Sequence, residues 1–234
     1  MEFMNIGHRG AKSYAPENTM LSFNVGLEMG VNGLETDVRQ TKDGFLVLSC
    51  DDTTERCSGV NKIIRESNFN DLYELDFGKG QHIALLEDFL KTFGGKDLFF
   101  AIELKQENIY KQTLEYIRKY VKNINKVTIT SFEFENLVDT RNYDKEISLG
   151  YLTEFCTDKE LDMLTSINAK QICPKAENIT TDNVKYAHDK GLIVRAWGIA
   201  DENDMEYCLQ CGVDGMTINF PDKLTEYLKT NFGG

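Results

Sequence analysis

Residues Gly33 to Cys50 read G-L-E-T-D-V-R-Q-T-K-D-G-F-L-V-L-S-C and hold two extended runs, Leu34–Arg39 and Phe45–Ser49, joined through Lys42-Asp43-Gly44. Asp-Gly between alternating apolar runs is a strong hairpin signal, so the two strands are expected to pair antiparallel. Glu35 and Asp37 lie two positions apart on the first strand. The period of two along a strand places both carboxylates on one face. Close carboxylates repel each other unless a cation or shared protons compensate, and such oxygen-rich pairs suit hard cations like Mg²⁺ or Ca²⁺. For an isolated Glu-x-Asp, a solvated edge-strand face is the plainer reading.

Working outward from the hairpin changes that balance. Upstream stand Ile6-Gly7-His8-Arg9-Gly10 and Ala15-Pro16-Glu17-Asn18-Thr19; downstream stands Ala101-Ile102-Glu103-Leu104-Lys105. The ordered set H-R-G, P-E-N-T, E-x-D-V-x-x-T-x-D-G and E-x-K resembles the glycerophosphodiester phosphodiesterase family, from about Met4 to Lys223. The resemblance implies a phosphatidylinositol-phospholipase-C-like (β/α)₈ TIM barrel. It also implies hydrolysis of a glycerophosphodiester to glycerol 3-phosphate and an alcohol. In one place the chain departs from the family pattern. Where the family carries a catalytic His-Asp after the second hairpin strand, this chain has Cys50-Asp51.

Composition sets outer bounds on these expectations. A chain of 234 residues, 41% hydrophobic and 27% charged, suits one large core, and a single barrel domain over residues 1–234 is expected. The net charge of −12 argues against nucleic acid and against stable membrane association through a general basic surface, while leaving room for a local phosphate pocket. The N-terminal stretch has no basic start followed by an apolar segment, and no apolar run approaches the length of a membrane span, so a cytoplasmic protein is expected. The six scattered cysteines then read as reduced thiols. Cys208-x-x-Cys211 lacks a second ligand pair for zinc and is expected to pack at a helix end.

Along the chain, Phe3–Ile6 reads as a strand that delivers His8 to its C-terminal end, where barrel enzymes place their chemistry. The glycines flanking His8-Arg9 are expected to let the backbone approach a ligand. Pro16 is expected to open a helix, with Glu17 in its first turn and Gly30 at its end. Residues 51–82 are polar and weakly periodic, and read as a loop-rich insertion at the barrel mouth. A helix is expected over Ile83–Phe93 and a strand over Leu98–Lys105, with Glu103 and Lys105 on one face. Helix Ile109–Val121 and strands Val127–Phe132, Ile147–Thr153, Ala169–Pro174, Leu192–Trp197 and Gly212–Asn219 follow. That makes nine strand candidates where a (β/α)₈ barrel needs eight. Parallel neighbours need a crossover, so Phe45–Ser49 is placed as an antiparallel extension.

By resemblance, Glu35, Asp37 and Glu103 would hold the divalent metal, Arg9 and Lys105 would clamp phosphate oxygens, and Trp197 would face the glycerol carbons. Glu17 would help to hold Arg9. His8 would be one half of a general acid–base pair, with Cys50 at the position of the other half. Asp51, Asp52 and His82 are alternatives for that second role. A relative that binds a phosphodiester without efficient turnover is the alternative function.

Overall fold

A computed structural model describes residues 2–232. Among the described residues, nine strands form one sheet: β1 (Met4–Gly7), β2 (Gly33–Gln40), β3 (Leu46–Leu48), β4 (Phe99–Leu104), β5 (Val127–Ser131), β6 (Ser148–Thr153), β7 (Gln171–Pro174), β8 (Ile193–Ala196) and β9 (Gly215–Ile218). The spatial order is β1-β9-β8-β7-β6-β5-β4-β2-β3, and β1 also pairs with β2. Eight parallel strands therefore close on themselves, with helices between successive staves. The ninth, β3, runs antiparallel to β2 with Val38 opposite Leu48. The Asp-Gly turn decides this direction, because so short a link can only reverse the chain. The fold is the expected (β/α)₈ barrel with its hairpin extension.

The alternation in β4 explains how the barrel separates its two chemistries. Phe100, Ile102 and Leu104 face the surrounding helices in the main apolar core. Ala101 and Glu103 face the barrel interior, as the period of two requires. A small apolar floor of Met4, Ile6 and Ala101 closes the interior below.

After β3 the chain runs through α2 (Glu55–Ser58), a short 3-10 turn and α3 (Phe69–Tyr73), as the weak periodicity of residues 51–82 implies. This insertion packs on the hairpin through its own cluster of Val47, Ile64, Leu72, Phe77 and Ile83. Each such side chain contributes roughly 1.5–3 kcal/mol of burial before ordering entropy is subtracted.

Two local expectations are corrected. Pro16 does not open the first helix: α1 spans Met20–Glu28, with Thr19 as N-cap accepting from Ser22 N–H. Asn18 has φ of 56°, outside the helical region, so the Pro16–Thr19 segment is a turn. Residues 83–85 are not helical either. Leu48 N–H donates to Ala84 O at 2.9 Å, so this segment lies beside β3, and the helix α4 begins only at Leu86. The glycines around His8-Arg9 are also required by the turn's own packing. A Cβ on Gly7 would lie 2.0 Å from Gly10 O, and one on Gly10 would lie 2.4 Å from Ser22 C in α1.

Gly10 also has φ of +91°, so any side chain there meets both a strained backbone and the helix backbone. Gly10→Ala is expected to destabilise the protein by about 3 kcal/mol, lowering Tm by roughly 6–12 °C. Thermal unfolding by circular dichroism measures this directly.

Candidate active site

Two strand registers create the site. Asp37 on β2 stands directly beside Glu103 on β4, and Glu35 sits one inward position below Asp37. Neighbouring strands lie about 4.8 Å apart, which brings side chains at matched positions together. One carboxylate oxygen each from Glu35, Asp37 and Glu103 lies within 4.8 Å of the others, and all three residues are buried.

The turn after β1 builds the cationic side of the site. Arg9 has φ of 52°, a left-handed conformation that turns its N–H onto Glu35 Oε2 at 2.8 Å. Its guanidinium reaches Glu17 at 2.7 Å, and its Nε lies 2.9 Å from Asp37 Oδ2. Lys105 Nζ lies 2.6 Å from Glu103 and 3.4 Å from Asp37 Oδ1. Asn18 donates to Asp37 Oδ2 at 2.9 Å and accepts from Thr36 Oγ1 at 2.9 Å. The same left-handed Asn18 that ends any helix at Pro16 thereby orients a central carboxylate.

His8 Nδ1–H donates to Asn219 Oδ1 at 2.5 Å. The other ring nitrogen is left as an acceptor, and it lies 3.9 Å from Glu35 Oε2. Burial, with the Arg9 charge adding, lowers the His8 pKa to about 4. Burial and the nearby Asp37 charge push Glu35 well up and Glu103 up to about 8. Burial acts upward on Asp37 too, but Arg9 and Lys105 outweigh it and hold its carboxyl low.

A divalent cation fits these residues. Asp37 Oδ1 is buried and makes no hydrogen bond, with Lys105 near it but out of alignment. Two of the three carboxyls are pushed toward holding protons, which marks a shortage of positive charge. Oxygens within 4.8 Å of one another can share one ion bound at ordinary carboxylate distances of about 2.0–2.6 Å. The trio can hold a metal.

Trp197 lines the cavity over this cluster together with Phe132, Leu152, His8, Arg9 and Lys105. Its ring packs edge-on to Phe132, with centroids 5.0 Å apart, and its Nε1–H donates to Thr153 O. Cys50 follows β3, and its carbonyl accepts from Arg39 at 2.7 Å. Burial, with Asp37 adding, pushes the Cys50 thiol up to about 12.

The alternatives to Cys50 are drawn elsewhere. Asp51 is bound to Arg56 at 2.6 Å. Asp52 faces a neighbouring cleft with Arg39 and Arg65, which shares Lys105 with the site. His82 is exposed and stacked on Tyr73, with centroids 4.6 Å apart. Cys208 and Cys211 are buried on the helix Glu202–Cys211, which ends at Gly212.

Arg56, from α2, is a residue that sequence reasoning passes over. It spans Asp51 and both oxygens of Glu17, the latter at 2.7 Å each. Burial would raise Glu17, but Arg56 and Arg9 hold it down to about 2. The insertion is thus tied through Glu17 to Arg9. Asn219 and Asn18 also escape a reading by residue type, although Asn18 lies inside the P-E-N-T run.

This barrel, with its acidic trio and the His–Arg pair after β1, has counterparts among known proteins. Residues 8–223 match the glycerophosphoryl diester phosphodiesterase family. The chain belongs to that family. It is 28% identical to a glycerophosphodiester phosphodiesterase of Caldanaerobacter subterraneus, covering 98% of this chain and 99% of that one. It is 31% identical to the uncharacterised protein YqiK of Bacillus subtilis, covering 96% and 98%. An Oleispira antarctica phosphodiesterase, solved in complex with the product sn-glycerol-3-phosphate, shares the fold with a TM-score of 0.88 at 22% identity, over 96% of each chain.

Arg56→Ala is expected to leave the barrel intact, because the side chain is 47% exposed. It should loosen Glu17 and, through it, Arg9. Tm is expected to fall by no more than about 4 °C, while affinity for inorganic phosphate drops about threefold to tenfold. Calorimetric titration of both proteins with phosphate distinguishes a changed Arg9 from a changed fold.

Proposed function

We propose that the chain hydrolyses glycerophosphodiesters to glycerol 3-phosphate and a free alcohol. The reading includes a divalent cation, Mg²⁺ or Ca²⁺, held by Glu35, Asp37 and Glu103. The observation that carries it is the convergence of three buried carboxylates beside His8, Arg9 and Lys105 in one cavity. A cation bound there would supply polarisation of a phosphoryl oxygen.

Phosphoryl transfer is mainly positioning and charge neutralisation. Arg9 and Lys105 flank Asp37, and there they would clamp the remaining phosphate oxygens. His8, with Nδ1 committed to Asn219, would take the proton of the attacking oxygen at Nε2. Trp197 and Phe132 would cover the glycerol carbons and keep water from that side. The alkoxide leaving group needs a proton, and Cys50 is the residue at the position from which it would come. A thiol is a poorer donor than imidazolium near neutral pH, so turnover of natural diesters is expected to be slow. Among the described residues no helix is long and apolar enough to cross a membrane. The substrate is proposed to be a small molecule, and the six unpaired cysteines support a cytoplasmic setting.

Release of alcohol or glycerol 3-phosphate from a panel of glycerophosphodiesters, with Mg²⁺, Ca²⁺ or Mn²⁺ added, tests the reading. No turnover of any diester under any metal would overturn it.

A cation at about a hundred times its Kd stabilises the folded state by about 2.7 kcal/mol, a Tm rise of roughly 5–10 °C here. Glu35→Gln and Asp37→Asn are each expected to remove the rise. An unchanged rise in both variants would place the cation elsewhere.

Cys50→His is expected to raise turnover of natural diesters by up to about a hundredfold. A p-nitrophenyl phosphodiester, whose leaving group needs no proton, should change little. The gain is expected to vanish in a His8→Ala background, since paired groups lose their effects together. Equal gains on both esters would instead assign residue 50 the base role.

A further inference from the structure

The cavity holds one cation that the mechanism above leaves unused. Arg195, on β8, is 1% exposed, yet it forms part of the cavity wall with Thr217 and Trp197. Trp197 directly follows β8, two positions after Arg195, and both side chains line the cavity. A charged group so deep normally has an ionic partner. Arg9 and Lys105 have theirs in Asp37, Glu17 and Glu103. Among the described residues, no carboxylate lies within 4.0 Å of the Arg195 guanidinium.

Its partners are all neutral. Nε donates to Gln171 Oε1 at 3.0 Å, one terminal nitrogen to Thr217 Oγ1, and the other to Cys173 Sγ at 3.3 Å. Each terminal nitrogen carries two hydrogens, so one N–H on each remains after these bonds. The guanidinium is also held in place by design of its surroundings. Gly150 on β6 leaves the room that Gln171 fills, since a Cβ there would lie 3.1 Å from Gln171 Oε1. The result is a fixed, buried, positively charged fork under a cavity of about 100 Å³. That space suits a small polyol fragment.

We propose that Arg195 is a substrate-binding residue that donates its free N–H groups to the hydroxyl oxygens of the glycerol half, setting specificity for glycerol phosphate over bare phosphate. The proposal rests on the glycerophosphodiester reading above. Division of labour follows from position. Arg9 and Lys105 stand at the acidic trio, where phosphate would sit, whereas Arg195 is held on the other strands, by Gln171, Cys173 and Thr217. Loss of the fork should therefore cost the glycerol contacts and spare the phosphate contacts.

The test uses the full chain with Mg²⁺ or Ca²⁺ present and titrates sn-glycerol 3-phosphate and inorganic phosphate separately. Arg195→Met is expected to weaken glycerol 3-phosphate about tenfold or more and to leave inorganic phosphate within about twofold. Arg195→Lys, which keeps the charge but not the fork, is expected to show the same selective loss in smaller degree. If neither variant folds, ¹⁵N-arginine resonances of the wild type decide the matter: the Arg195 guanidinium should shift with glycerol 3-phosphate and not with phosphate. Equal losses for both ligands, no loss for either, or an unmoved Arg195 resonance would each overturn the proposal. A wild type that binds glycerol 3-phosphate through Arg195 but cleaves no diester would reject the hydrolytic reading and keep this one.

Discussion

The structure turns on a concentration of buried charge that no part of the chain could carry alone. Asp37 is central. It is fully buried and stands between Arg9, Lys105, Asn18 and the two other carboxyls. Taking such groups out of water is costly unless each finds a partner. The barrel supplies partners by geometry: Asp37 on β2 stands beside Glu103 on β4, and β1 ends next to β2, so the turn at Arg9 reaches Glu35 and Asp37. The left-handed turn at Arg9 and the left-handed Asn18 are both consequences of serving that one carboxylate cluster.

The same arrangement leaves an imbalance. Glu35 and Glu103 are driven toward their protonated forms while Asp37 stays charged. A cation bound at such a site would take the place of protons that burial imposes. The imbalance also explains why Arg9 needs support from outside the barrel. Glu17 and Arg56 lie beyond the strand ends, yet they fix the guanidinium on the side that Asp37 does not reach.

Much of this is legible in the amino-acid sequence. The period of two on β2 and β4 and the Asp-Gly turn are local rules, and they account for the convergence of Glu35, Asp37 and Glu103 and for the antiparallel β3. What escaped them was long-range or conformational. Arg56 reaches Glu17 across 39 positions, and nothing in a polar loop marks which arginine will do so. Asn18 was visible but read as part of a helix, because Pro followed by Glu is also a good helix start. Its left-handed backbone is imposed by the partner it serves. Arg195 had a signal, a charge on the inner face of an apolar strand, whose weight appears only once its lack of a counter-charge is seen.

The insertion leaves the barrel after β3 and comes back against β3 itself, where Leu48 meets Ala84 and Val47 bridges Leu85. Its two ends are thus fastened to the same short strand, and its side chains pack largely on one another. A loop whose ends already meet adds little closure entropy as it lengthens. The mouth of this barrel is therefore a replaceable cassette. Evolution can enlarge, shorten or resculpt it while the staves beneath keep their register. The pairing has a second benefit. It shields the one strand that lies outside the closed ring, which would otherwise present open backbone donors and acceptors to a strand from another molecule.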